Sequence, residues 1–188
     1  MTSESDTAVS SGTSTLVVID MQEIFRSPTS EWSVPAYDRT AEHVVRLADH
    51  FSHSVVWTKF VRDPDETGSW SAYYDRWSNS RAEPDSPVWD LTLPVRDGDR
   101  VLTLSTFSKW GPDLAEMTEH SDHIVVCGVA TDCCVLATVL GAVDAGKQVT
   151  LVTDACGGAT PEAHDQAVAL MGMLAPMVTL AETTEIVK

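Results

Sequence analysis

The stretch CGVATDCCVLAT, residues 127–138, carries the end of an apolar run into the start of a helical pattern and sets Cys133 beside Cys134 at the junction. The run before it, HIVVCGV (123–129), is apolar at consecutive rather than alternating positions, as in a strand covered on both faces. The run after it, TDCCVLATVLGAVDAG (131–146), has helical spacing, with Thr131 at the expected N-cap and Gly146 at the close. The residues alone leave four uses open for the cysteine pair: a redox device, a metal site, packing, or one nucleophile with a bystander.

The same alternation recurs on either side. Strand-like runs are TLVVID (15–20), SVVWTKF (54–60), RVLTL (100–104), QVTLVTD (148–154) and APMVTLAE (175–182). Helical spacing marks 35–51, 111–120 and 160–175, the last opening on Thr160. Strands alternating with helices imply an α/β doubly wound, mostly parallel sheet with helices on both faces. Ligands of such sheets bind beyond the carboxyl ends of the strands, which directs attention to Asp20, Lys59, Leu104, the GVATDCC turn and Asp154. No GxGxxG or GxxxxGK[ST] comes after any strand, so a dinucleotide or nucleoside triphosphate is not expected.

At 188 residues the chain suits a single domain over 13–188 behind a loose Ser/Thr-rich, acidic tail at 1–12. No apolar run reaches the roughly 20 residues that span a bilayer, and the N-terminus lacks the basic and apolar regions of a signal peptide. A cytoplasmic protein with reduced cysteines is expected, and no disulfide scaffold. Acidic residues outnumber basic ones 28 to 12, a formal charge of −16, which repels phosphate backbones and argues against nucleic acid. The six histidines are scattered without ligand spacing, so no metal is expected.

Cys134 falls in the first turn of the expected helix, where unpaired N–H groups favour a thiolate and can receive an oxyanion. Asp20 ends an otherwise apolar strand, where a buried carboxylate needs a partner or a task; beside a thiol it can take the proton and return it to a leaving amine. The two would meet across the switch point of the sheet. Cys127 and Cys156 read as small buried hydrophobes.

LVVIDMQEIF (16–25) and VVCGVATDCCVLATVLGAVDAGKQVTLVTDAC (125–156) resemble the two signature motifs of the isochorismatase-like cysteine hydrolase superfamily. The resemblance implies a six-stranded sheet, no cofactor, and an Asp, Lys, Cys triad acting on amides, ureas or related C–N bonds. On matching positions it makes Asp20 the proton acceptor and Cys134 the nucleophile. It also puts a non-proline cis peptide at Val129 and Ala130, aiming the N–H groups of Ala130 and Cys134 at the oxyanion. A cysteine at the nucleophile position favours C–N hydrolysis over vinyl-ether hydrolysis, and Cys133 takes the motif's variable place as a small packed side chain.

Two departures stand out. Leu104 occupies the position of the family's lysine; Lys109, five residues on, is the preferred substitute and Lys59 the other. TKFVRDPDETGSW (58–70) offers acids but no histidine, unlike metal-binding nicotinamidases of the family. Phe25, Trp77 and Trp110 are candidate pocket walls, and the aromatic-rich segment 61–97 is a pocket wall, a subunit contact or packing. The expected substrate is a small amide, carbamoyl compound or lactam, with the acidic balance leaning toward a cationic one, and a homodimer or larger assembly is implied. Leu104 also motivates an alternative, a non-catalytic ligand- or partner-binding member of the fold. A redox protein using Cys133 and Cys134 is the weaker third reading, because adjacent cysteines bond only in a strained ring.

Overall fold

Five consecutive buried residues make β1 (Thr15–Ile19), the pattern required of a strand with helices over both faces. The computed structural model describes residues 14–187, so the tail expected at 1–12 lies outside the described residues. After β1 come α1 (Glu23–Arg26), α2 (Tyr37–His50), β2 (Val55–Phe60), α3 (Ser69–Arg76), β3 (Arg100–Leu104), α4 (Pro112–Met117) and β4 (His123–Val129). A π-helical turn, Thr131–Val135, leads into α5 (Leu136–Asp144), then β5 (Gln148–Gly157), α6 (Pro161–Gly172), β6 (Val178–Ala181) and α7 (Thr183–Ile186).

Among the described residues the six strands form one sheet in the order β3-β2-β1-β4-β5-β6, with every neighbouring pair parallel. The expected doubly wound, six-stranded sheet is present, and it is parallel throughout. From β1 the chain builds outward to β3, returns to β4 on the far side of β1, and builds the other way. With right-handed crossovers this reversal puts helices on opposite faces and opens a crevice beyond the ends of β1 and β4.

Gly128 fixes how closely those two strands meet. It pairs with Ile19 at φ +110, and a Cβ there would lie 2.1 Å from the Ile19 carbonyl oxygen. Only glycine permits that backbone and that approach. Asp20 comes directly after Ile19 and the cysteine turn directly after β4, so one glycine sets the distance across the crevice. The peptide bond between Val129 and Ala130 is cis, as the resemblance implies.

Three of the boundary differences from the sequence reading have a local physical cause or consequence. β5 runs past its expected end at 154 to Gly157, which puts Asp154 inside the strand. β6 begins at Val178 rather than 175, since Pro176 cannot donate to a ladder. The helix expected to open at Thr131 starts as the π turn, with the Val135 N–H reaching the Ala130 carbonyl at 3.1 Å. Thr131 therefore does not cap it; its hydroxyl bonds His164 Nδ1 at 2.9 Å. Thr160 does cap α6, accepting from the Ala163 N–H at 3.1 Å.

The segment 61–97 holds α3 and two short 3-10 turns, Ser78–Ser80 and Pro87–Trp89. Tyr74 and Trp89 are buried in the core. Glu66 pairs with Arg62 at 2.5 Å and with Arg81 at 2.9 Å, and both guanidinium groups lie over the Tyr74 ring. The segment is thus ordered by packing, and Tyr73 and Trp77 from it face the crevice.

Candidate active site

Asp20 is wholly buried and takes a left-handed backbone, φ 47, which asparagine and aspartate adopt more readily than other residues. Thr58, on β2, fixes it twice: the Thr58 hydroxyl donates to Asp20 Oδ1 at 2.6 Å and accepts the Asp20 N–H at 3.2 Å. The other carboxylate oxygen, Oδ2, lies 3.1 Å from Lys109 Nζ, and both side chains have no exposed surface.

Lys109 reaches Asp20 by folding back from the loop after β3. Its ammonium donates to the Thr106 carbonyl at 2.6 Å and lies 4.7 Å from the centre of the Phe60 ring. Leu104, where the family pattern expects lysine, ends β3 opposite Phe60 as a half-buried edge residue. Lys59 stays outside, its ammonium 3.9 Å from the exposed Asp90 carboxylate. The ammonium beside Asp20 thus comes from Lys109, not from position 104 or from Lys59.

Lys109 is tied to the cysteine turn through one hydroxyl. Its backbone N–H donates to Thr138 Oγ1 at 2.9 Å, and the Thr138 hydroxyl donates to the Cys134 carbonyl at 2.7 Å. Behind the pair, the fully buried Gln22 side chain accepts the Phe60 N–H at 2.8 Å and donates to the carbonyls of Phe60 and Trp89 at 2.9 and 2.6 Å. It clamps the end of β2 to the aromatic segment.

Cys134 is 2% exposed. Its hydrogen bond with the Cys133 thiol, burial and the Asp20 carboxylate push its thiol well above the ordinary range, against the opposing pull of the Lys109 ammonium. This direction is opposite to the lowering expected from a helix start, with the Cys133 hydrogen bond its first cause and burial the second. Cys133 moves down, chiefly as acceptor of the Cys134 hydrogen bond. It packs against the core, as the sequence reading has it, and also lines the crevice. Cys127 and Cys156 are buried strand residues, the latter pushed up to about 12 by burial.

The crevice is a cavity of about 250 Å³ whose walls include Ala130, Cys133 and Cys134. Phe25 and Trp77 line it as expected, joined by Trp32, Phe60, Tyr73 and Phe107. Trp110 does not; it packs on α5, where a Cβ on Gly141 would lie 2.9 Å from the Trp110 Cβ. Glu31 and Asp132 supply the acidic side chains of the wall. Trp32 and Glu31 were not anticipated, because they sit in the polar connection after α1, where no periodicity marks them.

A larger cavity of about 380 Å³ lies beside it, lined by Arg39, His43, Asp154 and His164 among others. Three of those groups are already engaged within the fold: His43 pairs with Asp154 at 3.2 Å and His164 with Thr131. Among the described residues no three His, Cys, Asp or Glu side chains gather to hold a metal ion, so the donor set does not fit the metal site of the family's nicotinamidases.

A buried carboxylate and ammonium beside a cysteine turn, at the switch point of a parallel sheet, define a doubly wound α/β protein with a cysteine-centred pocket. The Isochorismatase domain family model matches residues 14–182, and the chain belongs to that family. It is 44% identical to the nicotinamidase of Escherichia coli (strain K12) over 59 residues, 31% of this chain and 28% of that protein. It is 33% identical to the streptothricin hydrolase of Streptomyces noursei over 117 residues, 55% of this chain and 41% of that protein. The matches thus span less than half the length of either relative. The fold is that of the cysteine hydrolase from Pseudomonas syringae pv. phaseolicola 1448A, at TM-score 0.82 and 20% identity, covering 93% of this chain and 91% of that one.

Proposed function

We propose that this protein hydrolyses a C–N bond of a small amide, carbamoyl compound or lactam through a thioester on Cys134, without a cofactor. The observation that carries the reading is the buried ion pair of Asp20 and Lys109, 3.1 Å apart, together with a cavity whose walls include Cys134 and six aromatic side chains.

In this reading Cys134 waits as a thiol and Asp20 takes its proton as the sulfur attacks the substrate carbonyl. The carbonyl oxygen becomes an oxyanion held by the N–H groups of Ala130 and Cys134; one such donor is worth about 10²–10³ in rate. Asp20 then returns the proton to the departing nitrogen as the C–N bond breaks, leaving the acyl group on sulfur. Water, deprotonated by Asp20, releases the acid and restores the thiol. Lys109 stays against Asp20 Oδ2, 3.1 Å away, and holds that side chain in place through these steps.

The protein acts in the cytoplasm as a homo-oligomer of two or more chains. Among the described residues no helix is long and apolar enough to cross a membrane. Support for the oligomer comes from Leu170, Met173, Met177 and Leu180, apolar side chains exposed on α6 and around β6. Peptide mapping of protein quenched during turnover of an amide tests the chemistry: acyl mass on Cys134 supports it, and acyl mass on Cys133 or on no cysteine overturns it.

A further inference from the structure

We infer that the aromatic cavity selects substrates carrying a cationic amine away from the scissile carbonyl, with Glu31 as its counter-charge. The inference rests on the hydrolase reading for the carbonyl end alone. Six aromatic side chains wall the cavity, together with the carboxylates of Glu31 and Asp132, and among the described residues no lysine, arginine or histidine lines it. The neighbouring Lys109 brings no free charge, since Asp20 matches it at 3.1 Å.

Each carboxylate keeps an oxygen for a ligand. Glu31 Oε2 accepts the Asn79 N–H at 3.0 Å, which leaves Oε1, and Asp132 Oδ1 accepts the Ala159 N–H at 2.9 Å, which leaves Oδ2. Trp32 stands at the centre of the wall, with ring centroids of Phe25, Phe60 and Tyr73 at 6.0, 5.5 and 5.9 Å. Aromatic faces are negative at their centres and hold an ammonium where water is scarce. Two of the wall rings already hold a cation from a residue outside the lining: Lys109 lies over Phe60, and Arg76 lies over Trp77 at 5.1 Å. The formal charge of −16 adds a field that draws cations to the surface and repels anions.

The chemical class is therefore a primary amide or lactam bearing an alkylammonium group. Titration calorimetry on the Cys134→Ala protein compares 4-(aminomethyl)benzamide, cationic at neutral pH, with its neutral isostere 4-(hydroxymethyl)benzamide. The ammonium compound binds about tenfold more tightly, and the advantage shrinks in salt. Glu31→Gln keeps the acceptor for the Asn79 N–H and removes the charge, so the advantage falls to about twofold or less while the neutral compound is unaffected; Asp132→Asn gives a smaller loss of the same kind. Equal affinities, no binding of the ammonium compound, or equal weakening of both compounds by Glu31→Gln overturns the inference. Ammonia release by protein with Cys134 intact is read separately. Preference without release keeps this inference and counts against the hydrolase reading for this compound, and equal release from both compounds supports the hydrolase reading and overturns this inference.

Discussion

Lys109 Nζ and Asp20 Oδ2 lie 3.1 Å apart with neither side chain exposed, although the two residues leave different strand ends. A charge in such a place is tolerable only beside its partner. Lys109→Met therefore strands a buried carboxylate and costs about 3–5 kcal/mol of stability, with turnover lost. Lys59→Ala, whose partner Asp90 is exposed, changes stability by under about 1 kcal/mol and leaves turnover near normal. Urea unfolding and steady-state kinetics of the two variants check this; equal effects would show that the wrong lysine has been chosen.

Thr138 joins the Lys109 loop to the cysteine turn. Thr138→Val leaves the Lys109 N–H and the Cys134 carbonyl without their shared partner and costs about 1–3 kcal/mol. kcat falls more than KM rises, because binding walls stay in place while nucleophile and base drift. Thr138→Ser, which keeps the hydroxyl, restores most of both, and failure of serine to rescue would assign the effect to packing.

The raised Cys134 thiol gives a pH signature. Alkylation tracks the thiolate fraction, so the rate keeps climbing through roughly pH 9 instead of levelling near neutrality. Asp20→Asn removes a charge that raises the thiol and frees the Lys109 ammonium to favour the thiolate. Its alkylation profile moves to lower pH even as turnover is lost. An unshifted profile would mean that Asp20 does not face the sulfur.

Gly128→Ala tests the closeness of β1 and β4. The added Cβ meets the Ile19 carbonyl oxygen at 2.1 Å from a backbone at φ +110, and the cost is at least about 3 kcal/mol. Gly68→Ala is the control: φ is +62 and ψ −130 there but nothing lies within 4 Å, so only the backbone term of about 1–3 kcal/mol remains, without a clash. Thermal unfolding distinguishes the two, and similar losses would remove the steric argument.

The sheet was legible because a doubly covered parallel strand must be apolar at consecutive positions, and Asp20 stood out as the polar residue ending such a run. Cys134 was marked by the turn from strand to helix. Lys109 was harder, since its loop has no periodicity and only its return to Thr106 brings the ammonium to Asp20. Thr58, Thr138 and Gln22 carry no signal at all: a threonine in a strand or helix looks like packing until its hydroxyl is seen to bridge two backbones. Trp110 misled because an aromatic after a strand end can line a crevice or cover a glycine, and here it covers Gly141. The thiol's direction was misread for a related reason, since helix position is visible in sequence and burial against a carboxylate is not.

The most direct measurement is ammonia release from a panel of primary amides and ureas by the unmodified protein, Cys134→Ala and Cys133→Ala. Release from at least one compound that disappears in Cys134→Ala and largely persists in Cys133→Ala is the expected result. Release that survives Cys134→Ala would contradict the assignment of the nucleophile and the mechanism built on it.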